Sequence, residues 1–466
     1  MTKTEVKENI TKINKLLRSD SYEAGIELIK ILDDPEITKG TLKEVLKHPD
    51  YYEAGIKSVK TLDVSLIDKG IIKLLLKQRN YDAIDTGIEL ARGLDEPAVF
   101  ETLLEGCSID KEGKLGRNNI FTGTGPAQPY LDYALVNLIG YVPKDTKVDK
   151  SLEHANIKTL SLTNCSCLEL PSGLANLPKL TSLDLNGCYS LQNADVLVNL
   201  TNLTSLDLTS CDSLQNVDGL GNLSNLIDLN LTYCESINNL DGLLNCKNLE
   251  KINLKGIMPV IESFADNRLK NLNGLKNCKN LKSINIEKSD ICWPFYPAYP
   301  IENIDGIANC KKLENLVLNS CESVENMDAI ANCTELITLD ISQCTSIEYL
   351  DFLHSLKKLT HLNIRGCDSI QNVDGLANLT NLTTLNLGSC DSLQNADVLA
   401  NLTNLTSLDL TSCDSLQNVD GLANLTNITS LNLKYSNEVQ PKPSIGKMTT
   451  REEVAAYQQE IRKSMK

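Results

Sequence analysis

The sequence predicts an α/β solenoid of twelve coils with one parallel sheet, preceded by a small all-α domain of helical hairpins. Three observations predict it. Residues 191 to 220, LQNADVLVNLTNLTSLDLTSCDSLQNVDGL, return at 393 to 422 with Val198 exchanged for Ala400; the offset of 202 is eight periods of 23 plus two insertions of nine. Inside each period apolar residues first alternate and then recur every third position. Upstream, a separate period of about 30 to 32 residues carries helical stripes.

From the N-terminus, YEAGIELIKILDDPEI at Tyr22, YYEAGIKSVKTLDVSLI at Tyr51 and DTGIELARGLDEPAVF at Asp85 each give an apolar stripe and a turn with Asp, with second helices such as TLKEVLKH or IIKLLLKQ. Hairpins of this kind over residues 1 to 106 bury one stripe against the next. Residues 107 to 150 are expected to be a linker and a cap. SIDKEGKLGRNNIFTGTGPAQP, rich in Gly, Asn and Pro, reads as exposed loop. Its TGTG lacks the preceding strand and the G-K-[ST] of a phosphate cradle, so no nucleotide site is assigned there. PYLDYALVNLIGYVP then sets Leu131, Ala134, Leu135, Leu138 and Ile139 on one helical face, with Gly140 as C-cap. A solenoid needs its first coil covered, and this helix is placed to do so.

Residues 151 to 436 hold the array. Copies of L-x-x-L-x-L-x-x-C-x-x-L begin at Ile157, Leu180, Leu203, Leu226, Leu249, Leu281, Leu313, Leu336, Leu359, Leu382, Leu405 and Ile428. The L-x-L core alternates inside and outside, which is a short strand. The spacing of three at Leu214, Val217, Leu220 and Leu223 suits 3₁₀ turns. One coil cannot bury its own leucines, but stacked coils bury a continuous core, and twelve strands at about 4.8 Å make an edge of roughly 55 Å. Residues 437 to 466 form a tail whose TTREEVAAYQQEIRKSMK opens with a capping box, Thr450 to Glu453. Its stripe Val454, Tyr457, Ile461 either caps the last coil or stays a tail.

This pattern resembles the leucine-rich repeat, whose fold is a horseshoe with a parallel concave sheet. CSCLELPSGLANLPKLTSLDLNGC is similar to the repeats of plant TIR-type immune receptors and LANLTNLTSLDL to bacterial internalin-type repeats; the 23-residue C-x-x-L-x-x-V phrasing is nearer the first. The N-terminal hairpins weakly resemble HEAT-type stacking. Neither relative brings its activity along, since no nucleotide-binding module and no signal peptide accompany the repeats. The resemblance implies a recognition surface and a protein partner.

Composition narrows the classes further. The formal charge of −16 opposes phosphate backbones and anionic lipid, so neither nucleic acid nor membrane is expected as a partner. MTKTEVKENITKINK has no apolar h-region and no 18-residue apolar run follows, so the expectation is a soluble, cytoplasmic protein. In that compartment the sixteen cysteines stay thiols, and the N-x-S/T matches are by-products of NLTNLTSL. Cys165, Cys188, Cys211, Cys234, Cys321, Cys344, Cys367, Cys390 and Cys413 share one repeat position; Cys246, Cys278, Cys310 and Cys333 share another. A straight row cannot converge four ligands on a tetrahedral zinc, so a ladder of buried thiols is expected and no metal or cofactor. The row of Asp and Asn at the middle strand position reads as solubilising rather than as a calcium stripe.

A search for catalysis finds scattered His48, His154, His354 and His361 with no nucleophile signature around them, and Cys107 reads as a core thiol. The binding reading draws on differences among the copies. Outward strand positions are bland in outer coils (Ser205, Asp207, Thr209; Ser407, Asp409, Thr411) and varied in the middle, where Lys251, Lys255, Glu287, His361 and Arg365 stand. Both insertions, MPVIESFAD and DICWPFYPA, fall there too. The second brings Trp293, Phe295 and Tyr296, with Tyr299 directly after it, into a run with Pro294, Pro297 and Pro300. Such rings dominate interface energetics; alternatively they fold back over leucines exposed by the interruption. The expected function is a non-enzymatic recognition scaffold, the alternative a regulatory or substrate-recognition subunit or effector with an activity in the helical domain.

Overall fold

The computed structural model describes residues 2–17, 22–32, 34–47, 52–61, 67–94, 97–109, 111, 115–116, 128–140, 157–167, 169–257, 268–288 and 301–466. The chain divides into two compact units, Met1–Asp184 and Leu185–Lys466.

The helical stripes fold as helices α1 (Lys3–Leu17), α2 (Tyr22–Leu32), α3 (Pro35–Leu46), α4 (Tyr52–Thr61), α5 (Lys69–Leu76), α6 (Tyr81–Leu94) and α7 (Pro97–Leu104). Start signals are local. Asp34 Oδ1 accepts from the N–H groups of Glu36 and Ile37 with Pro35 at the first helical position, and Asp68 does the same for Gly70 and Ile71. Ile13, Leu17, Ile26, Ile29, Ile37 and Val45 make one core cluster. A two-stranded antiparallel ribbon, β1 (Ser108–Ile109) with β2 (Leu115–Gly116), precedes α8 (Gln128–Gly140). The α8 helix lies on the turn of residues 172–176, where the buried Asn137 Oδ1 accepts from the N–H of Gly173 at 2.9 Å. A Cβ on Gly173 would stand 2.7 Å from Asn137 Cα, so glycine is what lets helix and coil meet. Strands β3 (Thr159–Ser161) and β4 (Ser182–Asp184) pair in parallel and complete this unit.

In the second unit strands β5 (Ser205–Asp207), β6 (Asp228–Asn230), β7 (Lys251–Asn253), β8 (Ser283–Ile286), β9 (Asn315–Leu318), β10 (Thr338–Asp340), β11 (His361–Asn363), β12 (Thr384–Asn386), β13 (Ser407–Asp409) and β14 (Ser430–Asn432) each pair in parallel with the next. Every strand centre, from Leu206 to Leu431, is buried. Short 3₁₀ turns such as Asp218–Leu220 and Asp241–Asn245 return the chain, as the spacing of three predicts. Coils stack so closely at these turns that a Cβ on Gly242, Gly274 or Gly306 would stand 1.9 Å from the carbonyl oxygen of Val217, Leu240 or Leu272.

The array ends on β15 (Lys447–Met448), antiparallel to β14, and α9 (Arg451–Ser464). The capping box is present: Glu453 N–H donates to Thr450 Oγ1 at 3.2 Å and Thr450 N–H to Glu453 Oε2 at 3.1 Å. Val454, Tyr457 and Ile461 are buried, and Gln458 Nε2 donates to the carbonyls of Leu422 and Leu425 at 2.8 and 3.0 Å. The stripe therefore covers the last coil rather than trailing free.

Candidate binding surface

Much of what the repeat displays is spent on holding the coil. Cys234, Cys344, Cys367, Cys390 and Cys413 each point Sγ at a carbonyl 26 residues earlier, at 3.0, 3.1, 3.2, 3.3 and 3.2 Å. Ser436 takes that place in the final coil and donates to Leu410 O at 2.6 Å, which identifies the thiols as turn donors. Burial pushes Cys246 up to about 11 and Cys278, Cys310 and Cys333 to about 12. The fifteen described cysteines are buried thiols; Cys292 lies outside the described residues. Cys165 differs. Its Sγ lies 2.9 Å from the hydroxyl of Tyr81 on α6, and hydrogen bonds from Cys167 first and Tyr81 next hold its thiol below the usual range.

The Asp and Asn row likewise turns inward on the backbone. Asp207, Asn230, Asn253, Asp340, Asn363, Asn386, Asp409 and Asn432 each accept, through Oδ1, the N–H two residues on. This Asx turn bends the chain off the strand. Neighbours also bond sideways, Asn363 Nδ2 to Asp340 Oδ2 at 2.7 Å and Asn432 Nδ2 to Asp409 Oδ2 at 3.2 Å. Among the described residues no group of three or more His, Cys, Asp or Glu is placed to hold a metal, and no helix is long and apolar enough to cross a membrane.

The parallel register stacks the middle coils' outward residues into rows. Lys251, Ser283, Asn315, Thr338 and His361 form one, each paired with the next across β7 to β11. Four residues further along each coil stand Lys255, Glu287, Asn319, Ser342 and Arg365. Lys255 Nζ meets Glu287 Oε2 at 3.2 Å and Lys251 Nζ meets Asp228 Oδ2 at 3.8 Å. His361 Nδ1 is 2.7 Å from Thr360 Oγ1, and Arg365 is exposed. The sheet face thus brings together Lys251, Lys255, Glu287, His361 and Arg365 within about four strand spacings, roughly 20 Å. Trp293, Phe295, Tyr296 and Tyr299 lie outside the described residues, as does the first insertion.

One feature escapes the sequence reading. A cleft of about 800 Å³ opens beside Met327, Asp328, Ile347, Tyr349 and Phe352. Tyr349 is 68% exposed, and Phe352 occupies the turn position that is glycine in most coils. That exchange of Gly for Phe was the available signal.

Residues 242–361 and 342–440 match the family described as the BspA type leucine rich repeat region, in six copies. No curated protein matches the sequence. Among solved structures an internalin, InlF, of Listeria monocytogenes is similar over 66% of this chain and 92% of its own, at 22% identity and TM-score 0.47. The functional domain of InlJ from the same organism, whose structure includes a cysteine ladder, is 18% identical over 66% of this chain and 72% of its own, TM-score 0.35. A leucine-rich repeat protein of Leptospira interrogans is 17% identical over 62% and 92%, TM-score 0.28.

Proposed function

Starting from the premise that residues 157 to 436 are a leucine-rich repeat array, we propose that this protein is a non-enzymatic, cytoplasmic recognition scaffold that binds a protein partner through its middle coils and rim insertions, without metal or cofactor. The observation that carries the reading is the pair of stacked rows on β7 to β11. Outer coils repeat Ser, Asp and Thr at those positions, whereas the middle coils present Lys, Glu, His and Arg in a pattern that does not repeat. A surface that differs from coil to coil gives a partner a single register.

The aromatic insertion begins after Ser289, one residue beyond Lys288, whose N–H donates to Asn319 Oδ1 at 3.3 Å. In this reading Trp293, Phe295, Tyr296 and Tyr299 supply apolar anchors, and Lys251, Lys255, Glu287, His361 and Arg365 set orientation. Because Lys255 and Glu287 already pair, a partner must match the pair rather than one bare charge.

Affinity capture with the full chain beside a variant lacking residues 290 to 298, read by mass spectrometry, identifies the partner. Its affinity is then measured against Trp293→Ala and, at an outer site, Asp409→Ala. A hot-spot ring costs 2 kcal/mol or more, about thirtyfold, while Asp409→Ala is nearly silent. If Trp293→Ala lowers the melting temperature but leaves affinity intact, the rings cover the interrupted coil and the reading fails.

A further inference from the structure

The charge of the array is banded. Residues 180 to 246 contain eight Asp or Glu and no Lys or Arg, and residues 366 to 433 contain seven and none. Between them residues 247 to 312 hold eleven Lys or Arg against seven Asp or Glu. Several of those cations are internally engaged: Lys251 with Asp228, Lys255 with Glu287, Lys270 with Glu302, Lys282 with Glu250, and Lys312 with the Asn280 side chain.

Lys247, Lys279 and Lys311 stand apart from these. They occupy one repeat position, two residues before the first leucine of three consecutive coils, and with Lys276 they are exposed. None of the four enters an ion pair among the described residues. They lie on the rim where the chain enters the strands, away from the sheet face. The Asn side chains beside them are occupied, Asn248 Nδ2 donating to Ser224 O and Asn280 Nδ2 to Lys247 O, each at 3.0 Å. The rim is therefore held rigid by its amides while its ammonium groups face outward.

We infer that this rim is a docking surface for a short acidic segment of a partner protein. Three coils at about 4.8 Å put the outer lysines roughly 10 Å apart, the span of three or four extended residues. The flanks fix that length. At the same repeat position the row passes to Ser224 and Thr201 on one side and to Thr334, before Lys357, on the other, so the run of three consecutive ammonium groups ends in uncharged side chains. A nucleic acid or an anionic bilayer extends past the cations on both sides, whereas a run of a few carboxylates does not. The surface is independent of the sheet-face reading, since it shares none of its residues.

The test uses the full chain and a fluorescein-labelled hexaglutamate peptide, followed by anisotropy at 50 mM and 200 mM salt. Each exposed charge pair is worth a factor of about 1.5 to 5, so the triple variant K247E/K279E/K311E should weaken binding by roughly 3- to 150-fold. Binding should also weaken at the higher salt, where screening shortens. The same three reversals at Lys442, Lys447 and Lys463 should leave it unchanged, with melting curves showing all variants folded. An unchanged affinity in K247E/K279E/K311E overturns the assignment. So does tighter binding of a single-stranded DNA 20-mer or of phosphatidylserine vesicles than of the peptide at 200 mM salt.

Discussion

Replacing Gly274 by alanine should destabilise the middle of the array. The added Cβ would lie 1.9 Å from Leu240 O, 2.3 Å from its carbonyl carbon and 2.7 Å from its Cβ. Two of the obstacles are backbone, so no rotamer change relieves them. The neighbouring coil has to move by more than 1 Å in a stack that repeats about every 4.8 Å. Overpacking of this kind costs about 1 to 3 kcal/mol, and the upper end applies where the neighbour is main chain. Alanine recovers about 0.5 to 1 kcal/mol by restricting the unfolded chain, because no left-handed backbone is needed at this position. The net loss is about 2 kcal/mol. Gly93 in α6 is the control: its Cβ would meet nothing within 4 Å, so Gly93→Ala should gain about 0.5 to 1 kcal/mol. Urea unfolding of the two variants gives the difference directly. Hydrogen exchange should show the loss concentrated at the amides joining neighbouring coils, such as Leu254 N–H to Asn285 O. If Gly274→Ala is as stable as the parent, the coils are not in contact at the turn and the close-approach argument is wrong.

The thiol ladder predicts alkaline instability: Cys246 at about 11 and Cys278, Cys310, Cys333, Cys390 and Cys413 at about 12 stay protonated when folded, whereas an unfolded thiol ionises near pH 8.5. Stability is thus full below about pH 8.5 and falls by about 1.4 kcal/mol per thiol per pH unit above it, so six together approach a whole domain's stability within one or two units. The urea midpoint should drop steeply between pH 8 and 10.5, and less so when Cys390 and Cys413 are exchanged for Ser, the residue at the equivalent position 436; a midpoint flat to pH 10.5 contradicts the burial. Leu206→Ala and Leu408→Ala remove equivalent side chains, each 1% exposed, at a cost of about 2 to 5 kcal/mol. Because coils contact only their neighbours, each change should loosen its own segment in hydrogen exchange while the distant coils persist, and uniform loss in both would argue against local fraying.

How far the sequence reached can be judged at particular residues. Thr450 and Glu453 lie three apart, and Leu214, Val217 and Leu220 keep a spacing of three; each signal acts within one turn and each folds as read. The cysteine row is legible for the same reason, since a fixed period forces a fixed inward direction. Harder to foresee are Ser210, Tyr233, Gln343 and Tyr435, which adopt left-handed backbone without being glycine. For Ser210, Tyr233 and Gln343 the N–H reaches the carbonyl of Thr232, Lys255 or Arg365 in the next coil, and that bond exists only once coils stack.

The sequence alone determined the period, the strand and turn positions, the inward residues and the place where the repeat departs from itself, because these follow from side-chain periodicity within a few residues. Tertiary structure decided what each outward residue is free to do. Asp207 and Asn253 face outward in the pattern yet bond their own turns; Lys255 and Glu287, 32 residues apart, become partners; Lys247, Lys279 and Lys311 stand at one repeat position of three successive coils, exposed and in no ion pair among the described residues. Those outcomes depend on which coil lies beside which and at what distance, and an electrostatic or hydrogen-bond partner across a coil boundary is set by stacking geometry rather than by any local run of residues.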